Sequence, residues 1–240
     1  MARQLTGKGS LPINVAANLT SLALSIVIGI FLVPYLISKL GVDSFGLITL
    51  ANYFVQYMTL ATFAVNSSVG RYLTIALEQG DHVHAVRVYS TAFWANIAVV
   101  VVLVLISIPL VIFLDRIVVL PEGKAAGARY LFTCVFLAYF IGLASSVFSV
   151  SCWARNRFDL LNGMGVFRQG LYLSAVLVLL AYMENGLAAM GNAIVLSAFA
   201  AALGSYLLSR LVLPEIRVKF AAFDAGALKG GAKMTDRELF

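Results

Sequence analysis

Two arginines stand where this sequence otherwise tolerates few charges. A guanidinium can hold an anionic phosphate through two parallel hydrogen bonds, so Arg71 and Arg168 are candidates for meeting an anionic phosphate. From Gln169 to Met183 there are about 15 residues, fewer than the about 20 needed to cross a bilayer, so Arg168 belongs in the membrane or at its interface. At the bilayer centre an arginine costs roughly 2.5–3.5 kcal/mol on insertion scales. Arg168 therefore either snorkels to the cytoplasmic headgroups or faces the protein interior beside Gln169 and Tyr172. Arg71 poses the same choice at the end of the second apolar run.

Uncharged polar residues form two stripes. At helical spacing, Asn14, Asn18, Ser21 and Ser25 fall within about 60° of one another on the first apolar segment. Asn52, Gln56, Thr59 and Asn66 fall within about 80° on the second, and Gly70 extends that face. Such faces form either a hydrogen-bonded seam between packed helices or a wet, substrate-facing cavity.

Other combinations lead nowhere. His82 and His84 have no cysteine or carboxylate pattern around them to complete a metal site. The triplets Asn18-Leu19-Thr20 and Asn66-Ser67-Ser68 fit a glycosylation acceptor but lie in or near the membrane, and Glu184 reads as an interfacial residue in a short turn. Cys134 and Cys152 read as small buried side chains. There is no Walker loop, no aspartate-rich cluster for Mg²⁺ and a diphosphate, and no Ser/His/Asp or Cys/His set. The 11 acidic residues leave none in the middle of a span. The expectation is a protein without catalytic residues, metal or cofactor.

The elements that must position these residues are membrane helices. Of the 240 residues, 61% are hydrophobic and 12% charged, against about 45–50% apolar and about 25% charged in soluble domains. The mean hydropathy is +0.94. The apolar residues come in long blocks rather than the roughly 10-residue alternating segments of a barrel. The expected fold is all-α, a polytopic bundle of about six transmembrane helices. The spans are expected near 15–37, 45–64 (continuing as helix to Tyr72), 91–114, 130–153, 162–183 and 187–208. The run from Val15 to Ile37 is too long for a signal-peptide core and reads as a retained first helix.

Most of the 17 basic residues fall on the side shared by the N-terminus, the polar stretch Glu78–Arg87, the knot Arg155–Asp159 and the tail. The opposite side has Lys39, Arg116, Lys124 and Arg129. The positive-inside rule then places both ends in the cytoplasm. The division is a cytoplasmic N-terminus over 1–14, a six-helix lobe over 15–208, and a basic tail or linker over 209–240. The net charge of +6 needs no nucleic-acid partner, because the basic residues face anionic lipid.

The N-terminal third carries a resemblance. Asn18-Leu19-Thr20, then Pro34-Tyr35, Leu40-Gly41 and Phe45-Gly46-Leu47, resemble the opening of polysaccharide repeat-unit flippases, the O-antigen and exopolysaccharide transporters of the multidrug/oligosaccharidyl-lipid/polysaccharide exporter superfamily. Asn66-Ser67-Ser68-Val69-Gly70-Arg71-Tyr72 is similar to the end of that family's second helix, and Ala154-Arg155-Asn156-Arg157 with Asn162 to its cytoplasmic linker. The resemblance implies a bacterial inner-membrane carrier for an undecaprenyl-diphosphate-linked oligosaccharide, working by alternating access of two rocking halves. The stripes would line the sugar path, and Arg71 and Arg168 would attract the diphosphate.

Family members usually have about twelve or more helices, whereas this chain supplies one lobe. A missing C-terminal lobe or a second copy is therefore an expected partner, with polysaccharide polymerase machinery a further candidate. Gly226, Gly230 and Gly231 read as a flexible connection. The first span lacks the acidic residue usual in the superfamily's cation-coupled drug exporters. The alternatives are such a small-molecule exporter, a non-transport scaffold of a polysaccharide assembly complex, or a membrane glycan enzyme.

Overall fold

The computed structural model describes residues 10–78, 82–121, 123–154 and 157–212, with the backbone alone described over 10–14, 17, 61, 63–78, 82–85 and 153–154. The chain is a polytopic helical membrane protein. Its elements are α1 (Ser10–Leu40), α2 (Val42–Glu78), α3 (His82–Ile112), the short α4 (Leu114–Ile117), α5 (Ala125–Ala154), α6 (Phe158–Tyr182) and α7 (Gly186–Val212), with no strand among the described residues. The six long helices correspond to the six expected spans, each extended by several residues.

Among the described residues, five of them are long and apolar enough to cross a membrane: α1, α3, α5, α6 and α7. The remaining long helix, α2, has 37 residues, ample length for a crossing, and carries Asn52, Gln56 and Thr59. The polar stretch Glu78–Arg87, expected as a connection, is mostly helix, because α2 runs to Glu78 and α3 begins at His82. The expected tail beyond Val212, and the linker residues Arg155 and Asn156, lie outside the described residues.

Tight connections set the helix directions. Gly41, at φ 80°, is the one residue between α1 and α2, a left-handed conformation that suits glycine. Its N–H donates to Ile37 O at 3.0 Å, and its carbonyl accepts from Phe45 N–H at 3.1 Å, so both helix ends are capped through one residue. At the start of α7 the Asn185 Oδ1 accepts from Ala188 N–H at 3.2 Å, an N-cap. Short links make neighbouring helices antiparallel. The starts of α2, α5 and α7 and the end of α1 therefore share one rim, here called the far rim. Lys124 Nζ donating to Ser44 Oγ at 2.9 Å, and Tyr130 OH donating to Asn192 Oδ1 at 2.6 Å, tie those starts together.

Helix α5 is the centre of the bundle. It packs most extensively on α7 and also against α2 and α3. Leu131, Phe132 and Phe136 on α5 are buried against Leu187, Met190 and Ala193 of α7 and Leu47, Ile48 and Ala51 of α2. The α5–α7 seam is close because α7 presents small residues. A Cβ on Gly191 would lie 3.0 Å from Cys134 Cβ, and Ala189 and Ala193 are fully buried.

Several polar groups in this interior are paired across helices. Asn96 Nδ2 on α3 donates to Ser146 Oγ at 2.9 Å, and Thr62 Oγ1 meets Tyr139 OH at 2.9 Å. The two cysteines are free and buried, as expected from their positions. By contrast, α1 fully buries only Leu36 among its described residues, with Leu22, Ile26, Ile30 and Phe31 outward, as a helix in contact with lipid would be.

Candidate functional site

Helix α1 leans on α6 and α2 at the edge of the bundle. Its stripe lies on the side that packs, because Ser21, Ser25, Leu32 and Leu36 share that face. Ser21 is half-buried, whereas Asn18 and Ser25 are exposed. Ser25 Oγ donates to Ser21 O at 2.8 Å, and it accepts from Gln169 Nε2 of α6 at 2.7 Å.

On α2 the core side is Ala51, Val55, Met58 and Thr62, and the stripe flanks it. Asn52, Gln56 and Thr59 are all exposed. Asn52 Nδ2 donates to Ile48 O at 2.9 Å and Thr59 Oγ1 to Val55 O at 2.8 Å, which turns their remaining hydrogen-bonding capacity outward. Among the described residues no hydrogen bond joins the α1 stripe to the α2 stripe. The side chains of Asn14, Asn66 and Arg71 lie outside the described residues.

Depth relates these groups to one another. At 1.5 Å per residue, Ser25 is about 22 Å along α1 from the far rim, Gln56 about 21 Å along α2, and Arg168 about 21 Å along α6. A hydrocarbon core is about 30 Å thick, so polar groups on three helices reach one level well inside it.

Arg168 lines a cavity of about 240 Å³ between α5, α6 and α7, together with Gln169, Ser149 and Ser205. Ser149 Oγ donates to Ser205 Oγ at 3.5 Å across its wall. Arg168 borders this half-open cavity with its side chain exposed. Gln169 belongs to both sides, because it lines this cavity and its amide nitrogen reaches α1. The Gln169 Oε1 is buried without a partner among the described residues, so that acceptor suits a hydroxyl or a water. Together the cavity offers a cation, an acceptor and two hydroxyls, which can bind a group with anionic and hydroxyl character.

In the sequence Gln169 stands out only as a neighbour of Arg168. Its signal was a carboxamide inside an apolar span, where such groups seek partners on other helices. Among the described residues, no group of three or more His, Cys, Asp or Glu side chains could hold a metal ion.

A membrane protein of Bacillus subtilis (strain 168), EpsK, described as uncharacterized, is 24% identical to this chain over 190 residues, covering 77% of the chain. The chain spans 38% of that relative's length. No protein-family model matches the chain, and no solved structure does.

Proposed function

We propose that this chain is the six-helix lobe of a carrier that flips an undecaprenyl-diphosphate-linked oligosaccharide across the bacterial inner membrane for polysaccharide synthesis. The observation that carries this reading is the exposure of Asn52, Gln56 and Thr59 at membrane depth, level with Ser25 and Arg168. Hydrocarbon would penalise carboxamides there, so the face belongs against water, cargo or another protein segment. The resemblance of Pro34-Tyr35, Leu40-Gly41 and Phe45-Gly46-Leu47 to the opening of polysaccharide repeat-unit flippases supports the cargo class.

In this reading the chain breaks no covalent bond. Sugars follow the polar stripes of α1 and α2, whose side chains saturate part of their capacity on their own backbone and present the rest. Arg168 draws the diphosphate toward the middle of the bundle, with Arg71 at the cytoplasmic end of the path. The prenyl tail stays in lipid. A second six-helix lobe or a second copy covers the polar face and rocks against it. Both ends face the cytoplasm, following the bias of basic residues.

The test is made in cells lacking the complete gene. Finished lipid-linked repeat units trapped on the cytoplasmic leaflet, with surface polymer lost, are the expected result. Normal polymer without a trapped intermediate, in a strain with no redundant carrier, would replace this reading with a scaffold or a small-molecule exporter.

A further inference from the structure

The far rim holds a second cavity, and it has a different chemistry. Its volume is about 390 Å³, and its polar wall is Lys39, Ser44, Lys124, Glu184 and Asn185. We infer that this cleft binds the phosphate of an anionic, hydroxyl-bearing phospholipid headgroup, a phosphoglycerol.

Charge balance selects that class. Two ammonium groups and one carboxylate leave the cleft with a surplus of one positive charge. A phosphodiester with a neutral polyol supplies one negative charge, and its hydroxyls can donate to the Glu184 carboxylate and the Asn185 carboxamide. A phosphoethanolamine is neutral overall and would leave the surplus uncompensated.

The lysines are held in place by the fold. Gly123, at φ 74°, turns the chain into α5, and Lys124 O accepts the first-turn bond from Ala128 N–H at 2.8 Å. The described hydrogen bond of the Lys124 ammonium is to a neutral hydroxyl, Ser44 Oγ at 2.9 Å, so its charge is directed by the fold but not cancelled by that partner. Lys39 reaches the cleft from the last turn of α1.

The lipid source follows from depth and lining. The cleft lies where the spans end, the level of phospholipid headgroups. Leu40, Leu180 and Leu187 form its apolar side, which suits the glycerol and first acyl carbons of a lipid better than a free anion. The cleft is about 20 Å from Arg168, so the inference does not depend on the carrier reading.

The full chain in mild detergent is titrated with phosphatidylglycerol, phosphatidylethanolamine and phosphatidylcholine, and binding is read by native mass spectrometry. Phosphatidylglycerol is expected to bind at least tenfold more tightly than the other two. The pair Lys39→Gln/Lys124→Gln should weaken it about thirtyfold, at about 1 kcal/mol for each basic residue near a lipid surface. The pair Lys39→Arg/Lys124→Arg should retain it, which separates lost binding from lost folding. The pair Arg116→Gln/Arg129→Gln removes the same charge from the same rim and should change it less than twofold. Equal weakening by both glutamine pairs would overturn the inference, as would phosphatidylethanolamine binding equally well. Displacement of phosphatidylglycerol by millimolar inorganic phosphate would overturn the lipid assignment in favour of a soluble anion.

Discussion

The Gln169 carboxamide on α6 and the Ser25 hydroxyl on α1 are 2.7 Å apart, and this bond fastens an otherwise lipid-facing helix to the bundle at membrane depth. Leu24, Ile28 and Leu32 on the same side of α1 are only partly buried, so packing alone holds that half of the helix weakly. Hydrogen bonds between membrane helices average about 0.6 kcal/mol and reach about 1.7. Ser25→Ala should cost about that much, lowering the thermal midpoint slightly. Spin labels on α1 and α6 should show a broader distance distribution in the variant. An unchanged distribution would mean that α1 is held by other contacts.

The exposed face of α2 should be wet. In a background with Cys134 and Cys152 replaced, cysteines at Asn52, Gln56 and Thr59 should react with a charged, water-soluble thiol reagent. Cysteines at Leu105 and Phe199, exposed apolar positions facing lipid, should stay inert. Inert stripe positions would identify the face as a dry contact with another protein segment.

Arg168 should act through its charge and its reach into the cavity between α5, α6 and α7. Translocation of lipid-linked oligosaccharide should fall about tenfold or more in Arg168→Ala, and less in Arg168→Lys, which keeps the charge but loses the two-pronged geometry. Equal, normal transport in both would remove Arg168 from the cargo path.

The close seam of α5 and α7 predicts a sharp contrast between two glycines. Gly191→Val places methyl groups against Cys134 and Tyr130 and should cost about 1–3 kcal/mol through overpacking. Gly163 on α6 has open space around a built Cβ, so Gly163→Val should stay within about 0.5 kcal/mol of the parent. Thermal unfolding of both variants in the same detergent checks the ranking.

At the far rim, the hydrogen bond from Arg129 Nη2 at 2.8 Å holds the Asp115 carboxyl below the ordinary carboxylate range. A lowered folded-state pKa means the pair's contribution is fully present above the unfolded value and is lost as the pH falls through the folded one. The Asp115 carboxyl resonance should therefore titrate at lower pH in the parent than in Arg129→Gln. Both residues are exposed, so the effect on overall stability is small.

The helices were legible in the sequence because bilayer thickness dictates their length and hydropathy marks it. Ser38-Lys39 and Gly41 announced the first turn, and Glu184-Asn185-Gly186 the last. The helical extent near His82 was not legible, because hydropathy marks only the part of a helix inside the membrane, whereas polar residues can continue one beyond it. The stripes were legible as faces, since a helix fixes which residues share a side. Their neighbours were not. Nothing in the spacing of Ser25 says that Gln169, far along the chain, lies against it, and nothing in Lys39, Lys124 and Glu184 says that three helix starts gather them into one cleft. Those relationships follow from which helices pack, and that depends on the small residues of α7 and the bulky ones of α5 acting together.

The sidedness of lipid-linked oligosaccharide in cells deleted for the complete gene tests the central claim most directly. The account predicts finished repeat units accumulating on the cytoplasmic leaflet, loss of surface polymer, restoration by the intact gene, and weaker restoration by the gene carrying Arg168→Ala. Surface polymer at parental levels with no accumulated intermediate, where no other carrier can substitute, would contradict it.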